Sequence, residues 1–244
     1  MKKYLLTLCV CSVLLSCGDD DSQLVNDLTF NFEFVTPEGA LELGQAFELN
    51  GSTVMFETAN FYFHGLQMAN ADAEMFFNAE EAHVLAGSNL IGSFTDVNLA
   101  PTNLTSTRII IGVEEVQNNQ IEADFTERSA GDPLSIKDPS MHWNWNSGYK
   151  FVRFDGEVDT DGDGVVDAPI AYHLGTDALR TEIEMSSNLA LTAGVTNVTM
   201  AFDLGAFFNG VDFQVVSNQD THTGNNLPLA QQLTDNLQSS LSIN

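Results

Sequence analysis

Past residue 17 this chain has no cysteine: Cys9, Cys11 and Cys17 are the full complement of 3. The first two lie in a segment that reads as an export signal, and the third stands where a lipid is attached. The folded part can therefore form neither a disulfide nor a thiolate metal site, and any metal there must be held by imidazole, carboxylate, thioether or modified side chains. Basic residues are nearly as scarce, with 8 Lys and Arg against 34 Asp and Glu and a formal charge of −26. The balance becomes more negative still once Lys2 and Lys3 leave with the signal. Such a surface disfavours nucleic acid and anionic lipid headgroups and favours cations and basic proteins. Internal repeats, a domain-scale linker and a nucleophile motif are also missing. The acidity does not mean disorder, because apolar residues make up 43% and Phe occurs 17 times, enough for a substantial core.

The N-terminus is the first positive signal. Lys2 and Lys3 precede an apolar run from Tyr4 to Leu15, far shorter than the roughly 20 residues a membrane span needs. The run ends in Leu14-Leu15-Ser16-Cys17, which matches the bacterial lipobox, so cleavage before Cys17 and lipidation of its thiol are expected. Gly18-Asp19-Asp20-Asp21-Ser22 then resembles the acidic tether that follows the lipidated cysteine in surface-exported lipoproteins. The expected organisation is a signal peptide over residues 1–16, a lipidated tether over 17–26 and one domain over 27–244. Membrane attachment is through the lipid anchor, and the expected location is the outer membrane, periplasmic or surface-exposed.

Leu28 to Val35 alternates strictly, with Phe30, Phe32 and Phe34 on one face of a half-buried strand. Further strand-like runs are Ala46 to Leu49, Val54 to Phe56, Asn60 to Met68, Arg108 to Val113, Tyr149 to Gly156, Ala168 to Leu174, Glu182 to Leu191, Asn197 to Asp203 and Asp212 to Val216. They are short and separated by Gly, Asn, Asp and Pro, the pattern of an all-β antiparallel sandwich, jelly-roll-like. Only the end differs. Asn226 can cap a helix with Pro228 in its first turn, and Ala230, Leu233, Leu237 and Leu241 recur at helical spacing. A C-terminal amphipathic helix packed on the sandwich is expected.

Asp159-Thr160-Asp161-Gly162-Asp163-Gly164-Val165-Val166-Asp167 has the spacing of a calcium loop. Oxygens of Asp159, Asp161 and Asp163 at positions one, three and five converge on a hard cation when Gly at six permits the turn. The Val165 carbonyl at seven and Asp167 at nine complete much of the shell. Position twelve is Ile170 where a bidentate Glu belongs, and the flanks read as strands, so a structural calcium loop is expected rather than a sensor.

Both tryptophans fall in Met141-His142-Trp143-Asn144-Trp145-Asn146-Ser147-Gly148-Tyr149-Lys150-Phe151, two apart, so a strand would point them to one face. Aromatic pairs of this kind are packing residues more often than functional ones. The five histidines, His64, His83, His142, His173 and His222, have no short metal-motif spacing. Any metal site must therefore be assembled from separate strands and loops, and His83, in an acidic stretch, reads as a bystander.

The order of Leu41 to Gly44, Phe61 to Met68, Ile110 to Glu114, Met141 to Phe151, Ala171-Tyr172-His173-Leu174-Gly175 and a late His222 resembles the MbnP-like family, methanobactin-associated copper-binding proteins, across nearly the whole mature chain. The most specific elements are Met-x-Trp-x-Trp-x-Ser-Gly-Tyr over Met141 to Tyr149 and the His-Leu-Gly of His173 to Gly175. The resemblance implies copper held by imidazoles and by the amino nitrogen of a kynurenine, which a diheme cytochrome c peroxidase-like partner makes from tryptophan. Trp143 or Trp145 is then the modifiable residue, His142, His173, His222 and His64 are the candidate ligands, and Asp220 can orient His222. The resulting expectation is a copper-binding envelope lipoprotein, not an enzyme, with calcium as a structural ion. A structural or adhesive surface sandwich in which the Trp pair is core is the alternative. An enzyme reading is weakest, because acid is in excess everywhere and no carboxylate pair stands out.

Overall fold

A computed structural model describes residues 26–73, 75–79, 84–87, 91–96, 102–136, 141–144, 148–191 and 194–243. Among the described residues no helix is long and apolar enough to cross a membrane. The architecture is an all-β, sandwich-like one built from two large sheets. In one, Asn26–Thr36 runs beside Gly194–Asp203, which is bordered by Leu241–Ile243. The other has nine strands among the described residues, with Thr181–Leu191, Thr102–Ile111, Ser52–Asn70, Val152–Val158, Ala168–Leu174 and Asp220–Thr221 in lateral order.

Local chemistry explains the layout. Ala46–Leu49 folds back on Ser52–Asn70 through Asn50-Gly51, whose φ angles of 52° and 84° suit the two-residue hairpin turn that matches strand twist. Along Val152–Val158, Val152, Phe154, Gly156 and Val158 are buried while Arg153, Asp155 and Glu157 lie on the outer face. This period of two decides which residues join the core and which can build a site. Phe154 meets the rings of Phe34, Phe56, Phe202, Phe207 and Phe208 at centroid distances of 5.4 to 5.7 Å. Truncating so enclosed a ring to Ala costs about 3–5 kcal/mol.

A second, smaller core holds Tyr62, Val113, Phe125, Leu134, Met141, Tyr149 and Phe151. Its phenols are satisfied by the overlying segment: Tyr62 Oη donates to the Pro133 carbonyl and Tyr149 Oη to that of Leu134, each at 2.7 Å. Arg128 braces the same segment through Asp132, Gln117 and Gln120. This core supports the strand that carries Trp143.

The elements depart from the sequence expectation at identifiable points. The runs at Val54 and Asn60 are one strand of 19 residues, Ser52–Asn70. Pairing is mostly antiparallel, but Asn26–Thr36 lies parallel to Gly194–Asp203, and Ala168–Leu174 parallel to Asp220–Thr221. Asp212 to Val216 is not a strand, because the Asp212 carboxylate accepts from Gln214 N at 3.0 Å and its carbonyl from Val215 N at 3.2 Å, closing a turn. The terminal helix spans Leu227–Ser240, capped by the Asn226 side chain, and buries Leu229, Ala230, Leu233 and Leu237. Leu241 lies beyond it and pairs with Phe202 as the start of a short strand.

Candidate metal centre

The strand His142–Asn144 pairs with Gly148–Tyr149, and alternation sends neighbouring side chains to opposite faces. On one face His142 is buried against Phe125 and Tyr149, with ring centroids at 4.4 and 4.9 Å. Burial, and then the nearby Lys150 charge, lower its pKa to about 4, so the ring is neutral at physiological pH. On the other face Trp143 meets His173 at 5.8 Å and His222 at 6.0 Å. The His173 and His222 rings stand at 86° to each other with centroids 4.5 Å apart.

Trp143 is held in place. Its Nε1 donates to the Tyr149 carbonyl at 3.0 Å, and the Lys150 ammonium lies 5.4 Å from the ring centroid, within cation–π reach. A Cβ on Gly175 would strike the Tyr149 carbonyl and come to 2.9 Å of Trp143 Nε1, so only glycine lets the indole lie this close to the strand end. The glycine of the His-Leu-Gly run thus has a packing reason.

Each imidazole has a carboxylate partner. Antiparallel register sets His173 opposite Arg153, which makes Asp155 its diagonal neighbour on the same face. His173 Nε2 lies 2.6 Å from Asp155 Oδ1, and Arg153 Nε donates to Asp155 Oδ2 at 2.6 Å. Burial alone would raise the Asp155 pKa, but the hydrogen bond and charge of His173 together with Arg153 outweigh it and hold the carboxyl below its ordinary range. Burial likewise lowers the pKa of His173 against the opposing pull of Asp155. With Nε2 turned to Asp155, Nδ1 is the ring's other nitrogen, and it is buried without a hydrogen-bond partner among the described residues. His222 is more exposed, and its Nδ1 lies 3.0 Å from Asp220 Oδ1, the orienting contact expected from the sequence. That contact leaves Nε2 as the available nitrogen.

The structure thus brings together Trp143, His173 and His222 from three separate segments. His142 points into the aromatic core from the opposite face of Trp143's own strand. His64 is buried on Ser52–Asn70 with Nδ1 3.8 Å from Glu114. Trp145, His83 and the lipidation residue Cys17 lie outside the described residues. Sequence reading missed Asp155 and Lys150. Neither carries a motif, and only cross-strand register or the packing around Trp143 reveals them.

At the hairpin between Val152–Val158 and Ala168–Leu174, ligand-type oxygens of Asp159, Asp161 and Asp163 lie within 4.8 Å of one another. Asp159 accepts backbone N–H bonds from Gly162 and Gly164, both at 2.7 Å, and from Asp161 at 3.1 Å. The bonds from Gly162 and Gly164 chiefly hold its carboxyl below the ordinary range. Asp167 Oδ1 instead accepts from the Thr160 backbone and hydroxyl, and Val165 is exposed.

Comparison with known proteins agrees with this architecture. No curated protein matches the chain. Among solved structures, MbnP from Methylosinus trichosporium superposes with a TM-score of 0.52 at 14% identity, covering 78% of this chain and 80% of its own, a likeness of fold. The family model named MbnP matches residues 25–226, and the chain belongs to the MbnP family.

Proposed function

We propose that this protein binds copper at the bacterial envelope through His173 Nδ1, His222 Nε2 and a nitrogen derived from Trp143. The observation that carries the reading is the meeting of two carboxylate-oriented imidazoles at one indole, one of them with a buried nitrogen that has no hydrogen-bond partner among the described residues. Neutral imidazoles are good donors for copper, and a carboxylate on the far nitrogen fixes the tautomer and raises basicity. An intact indole offers only an N–H donor, already used on the Tyr149 carbonyl. To serve as a ligand, Trp143 must first be opened to an aromatic amine, as the family resemblance implies. That reaction needs an external oxidant, for which a diheme cytochrome c peroxidase-like partner is the proposed source. The protein itself is proposed to hold the ion without a catalytic cycle of its own, anchored by a lipid on Cys17.

Calcium is proposed at the Asp159, Asp161 and Asp163 cluster as a structural ion, with Asp167 and the Val165 carbonyl as additional ligands. Copper titration of protein matured in its native host tests the main reading, together with intact mass to detect ring opening. One tight site is expected, lost in His222→Ala and unchanged in His83→Ala. Equal binding by all three proteins, or none by any, would reject it in favour of a structural sandwich.

A further inference from the structure

Past the end of a short backbone ladder, the loop that carries His222 is fastened beside His173 by the side chain of Thr223. The parallel ladder between Ala168–Leu174 and Asp220–Thr221 pairs Ala171 with Asp220 and Tyr172 with Thr221, and stops there. Two residues further on, at Thr223, backbone pairing is replaced by a hydroxyl. Thr223 Oγ1 donates to the His173 carbonyl at 3.0 Å and accepts from Gly175 N, also at 3.0 Å. It therefore occupies both polar groups flanking Leu174 that a continuing strand would have used.

The conformation of Thr223 has a cost that its hydroxyl explains. Its φ is 59°, in the left-handed region where a β-branched residue is an outlier and glycine would be the unstrained choice. The residue is buried, at 5% exposure. The left-handed turn lets the chain leave the sheet while Oγ1 stays on it, and the loop is tied at further points. Thr223 N donates to Thr221 Oγ1 at 3.2 Å, His222 N to Asn225 Oδ1 at 2.6 Å and Gly224 N to the His222 carbonyl at 2.6 Å. His222 is thus held between two anchored neighbours, while its own ring is exposed.

We propose that Thr223 is the positioning residue of this site. Its hydroxyl bridges the His173 carbonyl and the Gly175 amide, and so sets the spacing and mutual angle of the His173 and His222 rings. The effect of Thr223 on copper rests on the function proposed above, whereas its effect on ring geometry does not.

The test compares wild type, Thr223→Val and Thr223→Ser in the metal-free and copper-loaded full domain. Valine keeps the branched shape and removes both hydrogen bonds, and serine keeps the hydroxyl. In metal-free protein, NMR should show nuclear Overhauser effects between the His173 and His222 ring protons in wild type and Thr223→Ser, and none in Thr223→Val. Copper affinity should fall about 10- to 100-fold in Thr223→Val, the range for groups that orient metal ligands. The Cu(II) EPR nitrogen couplings should change with it, and Thr223→Ser should restore both. A ring-to-ring Overhauser effect in Thr223→Val like that of wild type would overturn the proposal, as would a Thr223→Ser protein behaving like valine. If Thr223→Val does not fold, Thr223→Gly, which suits the left-handed backbone and also removes the hydroxyl, takes its place. An Overhauser effect that vanishes in Thr223→Gly but persists in Thr223→Ser supports the latch, and one that persists in both overturns it. Rings that separate in Thr223→Val, in a protein whose wild type binds no copper, would uphold the latch and reject the copper reading alone.

Discussion

The acidic hairpin loop and the Trp143 cluster are both candidate cation sites, yet they are organised in opposite ways. In the loop, carboxylates from one short segment are arranged by the backbone of that same segment, through N–H groups of Gly162 and Gly164 on Asp159. In the cluster, each imidazole is oriented by a carboxylate, and the groups come from segments far apart in the chain: Trp143, Asp155 with His173, and Asp220 with His222. The first supplies hard oxygen atoms at an exposed turn. The second supplies imidazole nitrogen beside a half-buried indole. Their difference teaches that neighbours in the chain suffice to gather hard oxygens, whereas gathering imidazoles takes the pairing of distant strands, so the two sites would select different cations.

The largest expected effect breaks the two sites apart. His173→Ala should lower copper affinity by more than about 100-fold, because it deletes a donor and leaves Asp155 with only Arg153. It should leave any calcium-dependent stabilisation untouched, and isothermal titration with each ion separately measures this.

Next in size is an acid effect that sharpens the contrast between the two faces of the Trp143 strand. His142 titrates near 6.5 when unfolded and at about 4 in the fold, so between those values the unfolded chain binds the extra proton. The contribution is fully present above pH 6.5 and is lost as pH falls towards 4, by up to about 3 kcal/mol in all. Urea unfolding of metal-free protein across this range should show the slope, and a His142→Leu variant should flatten it. An unchanged slope in that variant would mean the acid sensitivity resides elsewhere.

For the loop, calcium at a hundred times its dissociation constant should stabilise the domain by about 2.7 kcal/mol, read as a higher melting temperature than in chelator. Asp161→Ala should remove the increment while copper binding persists. The smallest effect is Asp155→Asn, which keeps the size of the group but weakens its hold on His173. About tenfold loss of copper affinity is expected, roughly 1.4 kcal/mol, with no change at the calcium loop.

Much of the fold was legible. Short strand-like runs between turn residues marked Ala46–Leu49 and Ala168–Leu174 at their observed bounds, and Asn226 with Pro228 marked the start of the terminal helix. Where the reading failed, local competition decided. At Asp212 a side-chain turn captured amides that a strand would have needed, and at Leu241 an open sheet edge beside Phe202 ended the helical register. The site was legible only as candidates, since four histidines accompanied the family segments and nothing local told His142 from His173.

By itself the sequence determined what each segment can be: a cysteine-free acidic domain of alternating strands, one capped helix, and a loop whose carboxylates converge because they are neighbours in the chain. Only the tertiary structure decided which side chains share a place. Strand alternation turned Trp143 towards His173 and His142 away, cross-strand register put Asp155 beside His173, and the parallel edge closed by Thr223 brought His222 to both. Those outcomes depend on pairing between residues distant in the chain, and local spacing carries no record of register.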